Sequence, residues 1–134
     1  KAAVLGLTFK PGTDDLREAA SLDNVPLLLE QGAGVCAYDP AGVRAFSQKY
    51  PEGPQGSGSI SYAASPEQAL EGAHVCFIFT EWNEIRAVPP EAYRRLMRLP
   101  LVFDGRNIYD LESMREAGVE YYSVGRKAVN AKMP

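Results

Sequence analysis

The sequence predicts a doubly wound α/β fold, an open parallel sheet of about six strands with helices on both faces. Short apolar runs recur along the chain, each closed by turn residues. Helical apolar patterns separate most of them, and this alternation marks βαβ units. The length of 134 residues suits one hydrophobic core and leaves little room for a second.

The strand runs are Ala2 to Phe9, Gly34 to Tyr38, Ile60 to Ala63, Val75 to Thr80, Leu101 to Asp104 and Val119 to Val124. Between the first two, Leu22, Val25, Leu28 and Leu29 recur at helical spacing over residues 21–31, and Gly32 is the expected stop. Pro26 falls inside that helix, where it is expected to be tolerated in the first turn or two, with a local kink as the alternative. Val43, Phe46 and Tyr50 share a helical face over residues 40–50. Ser65-Pro66 reads as an N-cap with proline at the first helical position, and Gly72 closes the short helix. A further helix is expected over residues 89–98, with Tyr93, Leu96 and Met97 inward, and a last one from the Asp110 cap to Gly118. The Gly, Pro and Ser content of residues 51–59 predicts a mobile surface loop. Residues 1–127 are then one domain, and residues 128–134 a frayed tail.

Hydrophobic residues at 46% and charged residues at 23% exclude the disordered and fibrous classes. A net charge of −3 provides no global field for nucleic acid or an anionic membrane, so an anionic ligand has to be held by a few local cations. Cys36 and Cys76 sit in apolar runs without zinc or redox spacing, as buried thiols of a reducing, cytoplasmic protein do. His74 has no companion at metal-ligand spacing, so no metal is expected. No run approaches the roughly 18 apolar residues of a membrane span, and residues 1–20 lack a signal-peptide layout. Lys1 opens directly on a strand, which raises the expectation of a piece of a longer protein.

In doubly wound sheets ligands bind beyond the carboxyl ends of strands, where strand order reverses. After the first strand stands F-K-P-G-T-D-D-L-R, which matches neither a dinucleotide fingerprint nor a P-loop. Its Lys10 is a point charge and its Arg17 a bidentate fork, a pairing suited to phosphate. The alternative is that Asp14 or Asp15 pairs with Arg17 and Lys10 is merely solvated. Asp39, after the second strand, either accepts from ribose hydroxyls or caps the next helix. Trp82 is a stacking surface or a packing anchor. Gly105-Arg106 follow the fifth strand, so two strands aim a cation at one edge.

The blocks G-L-T-F-K-P-G-T-D-D-L-R-E-A, Y-D-P, T-E-W and F-D-G-R-N-I-Y-D closely resemble the carboxyl-terminal domain of the UDP-glucose/GDP-mannose dehydrogenase family. The last two look most like its UDP-glucose 6-dehydrogenase branch, with GDP-mannose and UDP-N-acetylmannosamine dehydrogenases as alternatives. The resemblance implies a Rossmann-like domain that holds the nucleotide half of a UDP-sugar substrate. An NAD-binding amino-terminal domain and a central dimerisation segment would be its covalent partners, in a full-length homo-oligomer. The implied reaction is a two-step oxidation of the sugar C6 alcohol to a carboxylate. Neither Cys36 nor Cys76 matches the surroundings of the family's catalytic cysteine, so no catalytic residue is expected here and the chain alone should be inactive. Carried over by motif, Phe9, Lys10, Gly105 and Arg106 bind substrate, and Arg17 reaches NAD phosphates held by another domain. After the R-E pair many relatives have proline and serine where this chain has Ala19-Ala20-Ser21, which leaves the start of the helix open. The rival reading, from another class, is a stand-alone nucleotide-binding module without catalysis.

Overall fold

The computed structural model describes residues 1–132. In chain order the elements are β1 (Ala2–Leu5), α1 (Ala20–Glu30), β2 (Gly34–Tyr38), α2 (Val43–Lys49), β3 (Gly53–Gln55), β4 (Gly58–Tyr62), α3 (Pro66–Leu70), β5 (Val75–Ile78), α4 (Asn83–Arg86), α5 (Pro90–Leu96), β6 (Leu101–Asp104), α6 (Leu111–Glu116) and β7 (Glu120–Ser123). One sheet of seven strands takes the order β3-β4-β2-β1-β5-β6-β7, which is the doubly wound arrangement. Every neighbouring pair is parallel except β3 with β4.

Strand register divides the core. Ala3, Leu5, Cys36, Tyr38, Cys76, Ile78, Val102 and Tyr121 fall on one face and join a core with residues of α3, α4, α5 and α6. Val4, Val35, Ala37 and Ile60 fall on the opposite face, under Val25 and Leu29 of α1 and Phe46 of α2. These are faces one and two below.

The punctuation read from sequence works locally. Ser65 Oγ accepts from the Gln68 amide at 3.1 Å, and Asp110 Oδ1 accepts from the Ser113 amide at 2.7 Å. Gly32, Gly72 and Gly118 all stand at positive φ just past their helices. Helix α1 begins at Ala20 with no side-chain cap, and the Ser21 hydroxyl instead donates to the Leu7 carbonyl at 2.6 Å. That bond ties the helix start to the end of β1.

Three features differ from the sequence reading. The expected loop at 51–59 holds β3, an antiparallel edge strand joined to β4 through a two-residue turn with Gly56 at φ +61°. Its Gly, Pro and Ser content hid a strand whose order comes from pairing. Helix α4 follows Trp82, a turn too short to show a period. In the expected tail, Val129 is buried and pairs antiparallel with Tyr121, while the Asn130 side-chain amide donates to Val119 O at 3.0 Å. Met133 and Pro134, the end of that tail, lie outside the described residues.

Candidate functional site

Strand order reverses between β1 and β5, so the crevice beyond their carboxyl ends is where this architecture builds sites. Gly6 opens it: its φ is +99°, and a Cβ there would lie 2.5 Å from the Thr80 backbone nitrogen. Only glycine lets the chain leaving β1 pass so close to the end of β5. Thr80 then donates from Oγ1 to Thr8 O at 2.7 Å, holding the two strand ends together.

Asp39 shapes the loop that follows. Its Oδ2 accepts from the amides of Leu7 (2.8 Å) and Thr8 (3.1 Å) and from Trp82 Nε1 (3.0 Å). Its Oδ1 accepts from the amides of Ala41 (2.8 Å) and Gly42 (2.7 Å), the N-cap residue of α2. A carboxylate has about four lone-pair sites, and these five donors occupy both oxygens of a side chain that is 4% exposed. Asp39 is therefore a cap and an anchor, with no capacity left for a ribose diol. Trp82 is likewise a packing anchor that also donates, since its indole N–H points at Asp39 and Thr8 Oγ1.

Asp104 does the same work at the end of β6. Its Oδ1 accepts from the amides of Arg106 (2.8 Å) and Asn107 (2.9 Å), and its Oδ2 from the Ile108 amide (2.8 Å) and the Tyr121 hydroxyl (2.5 Å). Burial, and then the bond to Asp104, pushes the Tyr121 phenol up, so it stays a donor. Asn107, at φ +55°, clasps Val124 through both atoms of its amide. Gly105 is pinned through its own amide to Ile78 O at 3.0 Å.

Arg106 joins the two loops. Its Nε donates to Phe79 O at 2.9 Å, its Nη2 donates to Phe9 O at 3.0 Å, and its Nη1 lies 3.8 Å from Glu81. Phe9, Lys10, Gly105 and Arg106 are thus brought together across 97 residues of sequence. Lys10 is exposed, and among the described residues no carboxylate lies within ion-pair distance of it, although its charge still acts on Asp15. Phe9 is 40% exposed beside it. The result is an exposed apolar ring, the lysine next to it in the chain and a guanidinium on a side chain 33% exposed, a set able to hold a phosphate group next to a flat or apolar moiety.

Arg17 stands apart. Nε and Nη2 grip Asp15 at 3.0 and 2.8 Å, and the Arg17 side chain is 88% exposed. Those bonds hold the Asp15 carboxyl down at about 2. The loop closes on itself through the Phe9 amide and Asp15 O at 2.8 Å. In this structure, then, the ion pair weighed as the alternative is formed.

The roles of Asp104 and Glu81 escaped the sequence reading. For Asp104 the signal was present: an aspartate followed by glycine at the end of an apolar run is an Asx-turn pattern. For Glu81 nothing local marks the partner. Among the described residues no group of three or more His, Cys, Asp or Glu could hold a metal ion. Cys36 and Cys76 are unpaired and buried, and burial pushes the Cys76 thiol far up, away from the nucleophilic thiolate.

Comparison with known proteins gives a consistent answer. Residues 3–111 match the profile described as the UDP-glucose/GDP-mannose dehydrogenase family, UDP binding domain. The UDP-glucose 6-dehydrogenase YwqF of Bacillus subtilis (strain 168) is 45% identical over 127 residues, covering 95% of this chain and 28% of that protein. The UDP-glucose 6-dehydrogenase of Pseudomonas aeruginosa is 42% identical over 124 residues, covering 92% of this chain and 27% of its own length. Among solved structures, a UDP-glucose dehydrogenase from Pyrobaculum islandicum superposes with a TM-score of 0.68 at 30% identity, over 90% of this chain and 24% of the other. A UDP-D-ManNAc dehydrogenase from Pyrococcus horikoshii gives 0.71 at 29% identity, over 93% and 25%. The chain thus spans little more than a quarter of the curated relatives it matches.

Proposed function

This chain belongs to the UDP-glucose/GDP-mannose dehydrogenase family as its UDP binding domain, and we propose that it grips the nucleotide half of UDP-glucose within a longer, NAD-dependent UDP-glucose 6-dehydrogenase. The observation that carries the reading is the meeting of Phe9, Lys10, Gly105 and Arg106 at the switch point. Lys10 supplies a mobile point charge to the diphosphate. Arg106 supplies the remaining face of its guanidinium, and its two bonds to main-chain carbonyls keep the Phe9 loop in position for the ligand.

The residues of this domain do not fit NAD. The turn after β1 lacks the G-x-G-x-x-G cradle, and Asp39, which would take the ribose hydroxyls, is filled by protein donors. The cofactor belongs to the remainder of the polypeptide, towards which Arg17 turns its guanidinium after leaving Asp15. Catalysis belongs there too, and the 134-residue chain is inactive alone. The two unpaired, buried cysteines support a cytoplasmic setting, and the complete enzyme is read as a homo-oligomer.

Titration of the chain with UDP, followed by NMR, tests the site: the amides of Phe9, Lys10, Gly105 and Arg106 shift together, and no shift at millimolar UDP overturns the reading. In the full-length enzyme, Lys10→Ala raises KM for UDP-glucose about 10- to 100-fold, the loss of one charge-assisted contact. Steady-state kinetics with an unchanged KM would remove Lys10 from the site. Activity with UDP-glucose against GDP-mannose checks the choice of substrate.

A further inference from the structure

The chain turns back on β7 at Gly125, whose φ is +67°. The turn lays Arg126 against the strand it has just left, with its guanidinium carbon 5.6 Å from the centre of the Tyr121 ring. All three guanidinium nitrogens donate: Nε to Ser123 Oγ at 2.9 Å, Nη1 to Tyr109 O at 2.8 Å and Nη2 to the Tyr121 hydroxyl at 2.8 Å. Among the described residues no carboxylate lies within ion-pair distance of Arg126. A half-buried cation without a counter-ion in contact is costly unless its donors are filled, and here neutral oxygens fill them.

The bond to Tyr121 fixes a direction. A guanidinium only donates, so the phenol oxygen accepts from Arg126 and its single hydrogen has to point elsewhere. It points at Asp104 Oδ2, 2.5 Å away, from a side chain that is 0% exposed to one that is 2% exposed. The same carboxylate accepts from the amides of Arg106, Asn107 and Ile108 and so shapes the loop after β6. From that loop the Arg106 side chain reaches Phe79 O and Phe9 O. A second strap runs alongside: Arg126 Nη1 holds Tyr109 O at the far end of the loop, and Asn107 clasps Val124 through both atoms of its amide. Residues 104–109 and 123–126 therefore form one hydrogen-bonded unit.

We propose that Arg126, acting through Tyr121 and Asp104, is a positioning residue for the substrate site, holding the Arg106 loop in the geometry that a diphosphate needs. The proposal rests on the reading of Arg106 as a substrate cation. None of the Arg126 donors goes to Phe9, Lys10, Gly105 or Arg106, so its influence on the ligand is exerted at one remove. The phenol-to-carboxylate bond is charge-assisted, and without it only main-chain amides hold Asp104. Any slack in that carboxylate passes to Arg106, whose fork serves a phosphate only while its own support is rigid.

Hydrogen exchange and UDP titration of the 134-residue chain test this. In the ligand-free chain Tyr121→Phe, which removes one oxygen and keeps the ring, speeds exchange of the Arg106, Asn107 and Ile108 amides about 10-fold. The Leu7 and Thr8 amides, bonded in the same way to Asp39, keep their rates. Affinity for UDP falls about 5- to 10-fold. Arg126→Ala has the same two effects and adds little to Tyr121→Phe in the double variant, since both act along one path. In the full-length enzyme the loss falls on KM for UDP-glucose more than on kcat. Equal acceleration at Leu7 and Thr8 reports a general loss of stability and overturns the proposal. So does a loosened loop with unchanged affinity for UDP, and so do additive effects in the double variant, which remove Tyr121 from the path. Arg126→Met, which keeps a long stem over the Tyr121 ring, replaces Arg126→Ala if that variant does not fold. If the unmodified chain does not bind UDP while the loop amides respond as stated, the ligand reading fails and the link from Arg126 to the loop stands.

Discussion

The two halves of the sheet are built to different standards of closure. Every residue of β1 is buried, as are Val35, Cys36, Ala37 and Tyr38 of β2, because helices lie on both faces. In β5 and β6 burial alternates, one residue in and one half out. Small side chains fill the closed half, with Ala2, Ala3 and Ala37 letting helices approach, whereas rings fill the open half of face two. A parallel sheet covered on both sides reads as unbroken apolar residues, and β5 and β6 read the same way while every second residue stays half-buried.

Substitutions in the two halves sharpen the contrast. Leu5→Ala, in the closed half, lowers the unfolding free energy of the chain by about 4 kcal/mol in a urea titration, through lost burial and a cavity. Phe103→Ala, on the half-buried face, costs less, about 2 kcal/mol, since its ring packs on Phe77 and Tyr122 but keeps part of its surface in water. Equal costs would break the comparison and place an unseen layer over Phe103.

The carboxylates that end each half provide a second comparison. Asn at either position turns one acceptor into a donor facing backbone amides. Asp39→Asn, which leaves Leu7, Thr8 and Trp82 without their acceptor, costs about 3 kcal/mol, and Asp104→Asn costs about 2 by the same titration. A larger effect at Asp104 would make the open half the more dependent on its polar staple.

The smallest effect belongs to the exposed loop between β1 and α1, outside both halves. Arg17's side-chain bonds lower the Asp15 carboxyl from 3.8 to about 2. A depressed folded-state value means the pair stabilises above pH 3.8 and that this contribution is lost as the pH falls through 2. Arg17→Ala returns the Asp15 titration, followed by carbon NMR of the carboxyl, towards 3.8. A titration that stays near 2 would assign the shift to other donors.

Much of this molecule was legible in its residues. Alternation of apolar runs with helical periods predicted the doubly wound sheet, and caps such as Ser65 and Asp110 act within three residues of themselves. The placement of Lys10 and Arg106, the cations of the proposed site, was legible too, because each follows a strand end. Edge strand β3 was not, since its composition is that of a loop and only its partner β4 orders it. Val129 was misread as part of a fraying end for the same reason: its order is conferred by Tyr121.

Local chemistry therefore settled which segments are strands, where helices start and stop, and which loops carry charge, because those features depend on neighbours a few residues away. Long-range contact settled the rest. That Arg106 spends two donors on the carbonyls of Phe79 and Phe9, that Asp39 is filled by protein N–H groups, and that face two of β5 and β6 is open all depend on residues far apart in the chain. A hydrogen bond has a definite distance and direction, and a buried face needs a second layer, so neither exists until the sheet has assembled.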